Sequence, residues 1–154
     1  MDKFHKEKTF TSELINLIPH RSPMVWVDEV LSFGPDGGEC LVRLKQTNLY
    51  FSNGRLRPSS LVEFIAQSQI FIGLCRGQKE GFNLETFQKL FLLSIADANF
   101  KNPDNFPEIE KDMYLIIKVG LVRIFGSMQL FSGSVWTSEG NLLGTSSIKA
   151  FAEN

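Results

Sequence analysis

Ser60-Leu61-Val62-Glu63-Phe64-Ile65-Ala66-Gln67-Ser68-Gln69-Ile70-Phe71-Ile72-Gly73-Leu74 is too long for an ordinary strand, and its large apolar residues fall on several helical faces rather than one. A helix that is apolar round most of its circumference has to be wrapped by other structure. Its polar exceptions are ordered, because Ser60, Glu63 and Gln67 stand at i, i+3 and i+7 and share one stripe.

Residues 48–58, just upstream, read as a loop containing an Asn53-Gly54 turn, and the polar stretch 76–85 reads as the connection that follows the helix. Further upstream, Thr11 or Ser12 can cap a short helix through Leu14, Leu17 and Ile18 that stops before Pro19. A strand is expected from Met24 to the turn Gly34-Pro35-Asp36-Gly37-Gly38. Cys40, Val42 and Leu44 then alternate with Leu41, Arg43 and Lys45 as in a hairpin partner. Downstream, strands are expected at residues 89–101, 113–124, 128–137 and 142–151. Leu115, Ile117, Val119 and Leu121 share one side, and Gly126 and Ser138-Glu139-Gly140-Asn141 supply the turns of an antiparallel meander. The class is therefore α+β, with one antiparallel sheet curled around one long helix, because the helix needs an apolar wrap and the sheet needs a covered face.

Size and composition bound the function. The chain has 154 residues, with 43% hydrophobic and 21% charged, which suits a single domain over residues 1–154. Its aromatic content is mostly Phe, 14 against 2 Tyr and 2 Trp, as in a dry core or an apolar ligand tunnel. A formal net charge of −1 offers no field for nucleic acid. The charged start, Met1 to Lys8, is followed by no apolar signal core, and no apolar run approaches the length of a membrane span, so a cytoplasmic protein is expected. Cys40 and Cys75 read as reduced core thiols, and with only His5 and His20 besides them neither a metal site nor a cofactor is expected. No G-x-S-x-G elbow, phosphate-binding loop or dinucleotide-binding turn is present.

The segment from Leu17 through Ile18-Pro19-His20-Arg21-Ser22-Pro23-Met24-Val25-Trp26-Val27-Asp28-Glu29 to Val30 resembles the opening of the hotdog-fold 3-hydroxyacyl-[acyl-carrier-protein] dehydratases. Leu61-Val62-Glu63-Phe64-Ile65-Ala66-Gln67 is similar to their central-helix motif, Ile95-Ala96-Asp97-Ala98-Asn99-Phe100-Lys101 to their next strand, and residues 133–151 to their last hairpin. The likeness covers about residues 14–151 and implies the hotdog fold. One departure stands out. The family's catalytic histidine lies in a Gly-His-Phe-Pro-Gly loop before the helix, where this chain has Phe51-Ser52-Asn53-Gly54-Arg55-Leu56-Arg57-Pro58-Ser59-Ser60. That loop looks like a divergent branch which keeps the helix Glu and the Pro-His-Arg opening.

Removing water from a 3-hydroxyacyl thioester needs a base for the α-proton, an acid for the departing hydroxyl and donors for the enolate-like oxygen. By the resemblance, Glu63 is the catalytic candidate, its pKa expected to be raised by desolvation between Val62 and Phe64. Unpaired N–H groups at Ser59, Ser60, Leu61 and Val62, at the positive end of the helix, would face the thioester carbonyl. Gln67 is read as the partner that orients Glu63. Asn53 lies where the family's histidine would be and can only hold substrate or water, or simply make a turn. Arg55 and Arg57 could meet a phosphate of the carrier arm. His20 could serve as the base, although the resemblance treats its segment as structural. Ser60-Leu61-Val62-Glu63 also fits a capping box in which Glu63 only bonds the backbone of Ser60.

The expected activity is a dehydratase-like lyase on thioesters of acyl carrier protein or coenzyme A, in fatty-acid or polyketide-like biosynthesis. The alternatives are a hotdog acyl thioesterase and a non-catalytic acyl-binding subunit that pairs with an active paralogue. The resemblance further implies a homodimer joined edge to edge, or a heterodimer with such a paralogue, and no membrane partner.

Overall fold

The computed structural model of the chain describes residues 8–18, 20–45, 48–81, 90–108 and 113–152. The N-terminal residues 1–7, Pro19 and residues 82–85 of the expected connection 76–85 lie outside the described residues. Among the described residues nine strands, β1 (Thr9–Phe10), β2 (Glu29–Gly34), β3 (Gly37–Arg43), β4 (Phe51–Ser52), β5 (Arg55–Leu56), β6 (Leu90–Phe100), β7 (Tyr114–Phe125), β8 (Met128–Thr137) and β9 (Leu142–Ala152), accompany one α-helix, α1 (Ser60–Glu80). Seven of the strands form one sheet in the order β1-β2-β3-β7-β8-β9-β6, every pair antiparallel, and β4 with β5 makes a separate hairpin.

The helix is held because both partners are apolar where they meet. Leu61, Phe64, Ile65, Phe71 and Ile72 are almost fully buried, each contributing roughly 1.5–3 kcal/mol by leaving water. They meet a sheet whose inner positions alternate in register, Leu115, Ile117 and Val119 on β7 and Phe131 and Val135 on β8. Gly133 occupies the remaining inner position of β8 under the helix. A Cβ there would lie 2.5 Å from Ile65 Cγ2, so the closest approach of helix to sheet depends on its absence. The opposite face of the sheet is polar. There Lys118 Nζ lies 5.3 Å above the ring of Trp136, whose Nε1 donates to Ser134 Oγ at 2.7 Å.

Four local expectations are corrected. The helix runs to Glu80 rather than Leu74, because the polar residues after Leu74 continue it until Gly81, at φ 75°, closes the end with its N–H on Gly77 and Gln78. The short helix near residues 11–18 is two single 3-10 turns, Thr11–Glu13 and Ile15–Leu17, with no side-chain cap. Thr11 instead donates its hydroxyl to the Val27 carbonyl at 2.6 Å, tying the turn to the chain entering β2. Strand β2 begins at Glu29 rather than Met24, since the Met24 carbonyl and the Trp26 N–H are bonded to the Gln67 side chain instead of a neighbouring strand. Inside the loop at residues 48–58, Asn53 (φ 52°) and Gly54 (φ 76°) take the two positive-φ positions of a tight turn, and this makes β4–β5.

Candidate functional site

Glu63 stands in the first turn of α1, on the flank that meets His20. Its carboxylate has two neighbours. Gln67, one turn along the same stripe, donates Nε2–H to Glu63 Oε1 at 2.9 Å. His20 presents Nε2 at 3.6 Å from the same oxygen, an ion-pair distance rather than a hydrogen bond. The side chains of His20 and Glu63 retain 26% and 32% of their surface, so the pair is covered on one side and open on the other.

Gln67 is itself 1% exposed, and both its amide nitrogen and its oxygen are hydrogen-bonded. Nε2 donates to the Met24 carbonyl at 2.8 Å as well as to Glu63, and Oε1 accepts the Trp26 N–H at 2.9 Å. The amide therefore clasps the segment that follows His20 to the helix that carries Glu63. The other side of His20 is pinned by Arg21, whose Nη1 lies 3.0, 2.6 and 2.7 Å from the carbonyls of Ile15, Ile18 and His20. The clamp by Arg21 and the main-chain groups of residues 24 and 26 went unnoticed in the sequence. Only the nearness of Pro-His-Arg to a strand-like run pointed to them.

The electrostatics differ from expectation. Burial alone would raise the Glu63 pKa, but His20 beside it, helped by the Gln67 amide, holds its carboxyl below the usual carboxylate range. Glu63 is thus held in the carboxylate form, the one that can accept a proton, and is a weaker base than an ordinary glutamate. The capping box is not formed, since the Ser60 N–H donates to the Arg57 carbonyl at 3.1 Å and the Ser60 hydroxyl bonds the same oxygen. Three of the four N–H groups expected to be free at the helix start are engaged, that of Ser60 as above. Those of Leu61 and Val62 donate to Pro58 and Ser59 at 3.1 and 3.3 Å, which leaves the helix dipole rather than bare donors at this end.

The residues upstream of the helix do not join this cluster. Asn53 sits at the exposed tip of β4–β5 and has no hydrogen bond to Glu63. Arg55 is paired with Glu108 at 2.9 Å and donates to the Phe106 carbonyl at 3.2 Å, so the hairpin is tied to residues 106–108. Arg57 is exposed, with its own N–H bonded to the Tyr50 carbonyl at 2.8 Å.

Three comparisons bear on this geometry. A family model described as ApeP-like, ApeP dehydratase, matches residues 12–154. A 3-hydroxyacyl-[acyl-carrier-protein] dehydratase FabZ from Alkalilimnicola ehrlichii is 24% identical over 136 residues, 83% of this chain and 81% of that protein. Among solved structures, the dehydratase heterocomplex ApeI:P from Xenorhabdus doucetiae superposes with a TM-score of 0.75 at 17% identity, covering 92% of this chain and 91% of the other. A thioesterase from Haemophilus influenzae gives a TM-score of 0.65 at 16% identity, covering 97% and 94%. The two structural likenesses show the hotdog fold. Among the described residues no helix is long and apolar enough to cross a membrane.

Proposed function

The chain belongs to the ApeP-like dehydratase family, and from that premise we propose that it removes water from 3-hydroxyacyl thioesters carried by acyl carrier protein or coenzyme A. Glu63 takes the α-proton. The observation that carries this reading is the place of the Glu63 carboxylate, at the positive end of a buried helix, 3.6 Å from His20 Nε2, bonded by Gln67 and open to solvent on one side. As the proton leaves, charge builds on the thioester carbonyl, and the helix dipole favours negative charge at this end by roughly 0.3–1 kcal/mol.

A dimer belongs to the same proposal. Among the described residues strand β6 ends the sheet with one long edge unpaired, and Ile95 on it is 50% exposed, which suits addition of a second sheet. The second sheet comes from another copy or from a paralogue. The likeness to the dehydratase heterocomplex ApeI:P supports the paralogue as a partner to try first.

The experiment is incubation with an enoyl thioester of coenzyme A. Hydration to the 3-hydroxyacyl product is expected, and Glu63→Gln lowers its rate on the order of 100-fold or more. Release of free thiol in place of hydration identifies a thioesterase. Inactivity relieved only by mixing with an active paralogue identifies a non-catalytic subunit, and an unchanged rate in Glu63→Gln removes Glu63 from the chemistry.

A further inference from the structure

With Glu63 taking the α-proton, the second proton of the dehydration is unassigned, because the departing hydroxyl has to be protonated as it leaves. The segment before the helix does not supply the acid. Its hairpin holds Ser52, Asn53, Gly54 and Arg55, none of which donates a proton readily at neutral pH, and it is tied to residues 106–108. Resting on the dehydratase reading above, we propose that His20 is that acid, and that it serves the Glu63 of its own chain.

Three observations carry the assignment. The first is distance. His20 Nε2 and Glu63 Oε1 stand 3.6 Å apart, and the α-hydrogen and the hydroxyl they would handle are on neighbouring carbons. The second is accessibility, since both side chains are open on the same flank, at 26% and 32% of their surface. The third is that the ring is not spent on the fold. Among the described residues His20 Nδ1 is buried without a hydrogen-bond partner, and Glu63 is the only ion-pair partner of Nε2. A histidine retained for structure has its ring nitrogens bonded, whereas here the main chain around the residue is fixed by Arg21 and Gln67.

The step balances. Glu63 takes the α-proton, the electrons of that C–H bond form the carbon–carbon double bond, and the C–O bond breaks as His20 Nε2 gives its proton to the leaving oxygen. Water and the enoyl thioester result. The proton on Glu63 then passes to His20 Nε2, which restores the starting pair with no co-reactant.

The test uses full-length protein and a 3-hydroxyacyl-N-acetylcysteamine thioester, with His20→Gln, Glu63→Gln and the double variant compared in kcat and KM. Their folding is checked by thermal unfolding. Each single variant is expected to lose on the order of 100-fold in kcat, and the double variant to be no slower than the slower single, as for groups that act as a unit. Added imidazole is expected to restore part of the activity of His20→Ala, an effect that lost packing would not give. Co-assembled His20→Gln and Glu63→Gln chains are expected to remain inactive, since neither carries an intact pair. Recovery on co-assembly overturns the same-chain assignment. Wild-type kcat in His20→Gln beside a failing Glu63→Gln overturns the role of His20 and leaves the Glu63 reading standing. No effect of either substitution, or no turnover by the wild type, overturns both.

Discussion

Two segments flank the start of the same helix and were given opposite treatment by the fold. Residues 20–26 are locked to α1, through the Gln67 amide on Met24 and Trp26 and the approach of His20 to Glu63. Residues 51–57 close on themselves as a two-strand hairpin and lean on residues 106–108. The lesson is that a position can be adjacent in sequence to a helix carboxylate and still not face it. A residue far upstream reaches Glu63 because one buried amide joins the two segments.

The sharpest way to break this contrast is Gln67→Leu. It strips the buried Trp26 N–H and the part-buried Met24 carbonyl of their partner, and a loss of roughly 1–3 kcal/mol is expected for the N–H left unsatisfied, less for the carbonyl that water can reach. A lower urea midpoint checks the stability, and a fall in turnover larger than the loss of folded protein checks the link to Glu63. A midpoint equal to that of wild type would mean that the two segments stand together without the amide.

Acid comes next. The folded-state pKa of Glu63 lies below its ordinary value, so its contribution to stability is present above the usual carboxylate range and is lost as pH falls through the lowered value. The stability gap between wild type and Glu63→Gln is therefore expected to shrink on acidification, as read by denaturant unfolding at a series of pH values. A gap that widens in acid would put the shift in the opposite direction.

Smaller effects are expected in the hairpin. Asn53→Ala forces a Cβ-bearing residue without a compensating side-chain bond into the left-handed region, at about 1 kcal/mol. Its turnover should follow only the amount of folded protein. Glu108→Gln breaks an ion pair whose partners are 47% and 69% exposed, so a change of about 0–1 kcal/mol is expected, vanishing in high salt. Thermal melts at low and high ionic strength would show either.

The sheet wrapped round one helix was legible because residues 60–74 are apolar on too many faces for any other arrangement, and because β7 to β9 alternate cleanly. The Asn53-Gly54 turn was legible for the same kind of reason, as backbone preference is local. Strand β2 was placed too early, since nothing in Met24-Val25-Trp26 reveals that a glutamine on the helix takes its hydrogen bonds. The direction of the Glu63 shift was misread for a related cause. Val62 and Phe64 beside it announce desolvation, while the imidazole that outweighs desolvation comes from another element. Local terms were visible and contacts between elements were not.

The two-segment contrast rests on His20 acting on Glu63 electrically as well as lying near it. Titration of the Glu63 side-chain carboxyl by carbon-13 NMR, in wild type and in His20→Gln, measures that directly. The midpoint is expected below the usual carboxylate range in the wild type and to rise in the variant. A midpoint that is ordinary in the wild type, or the same in both proteins, would contradict the pairing.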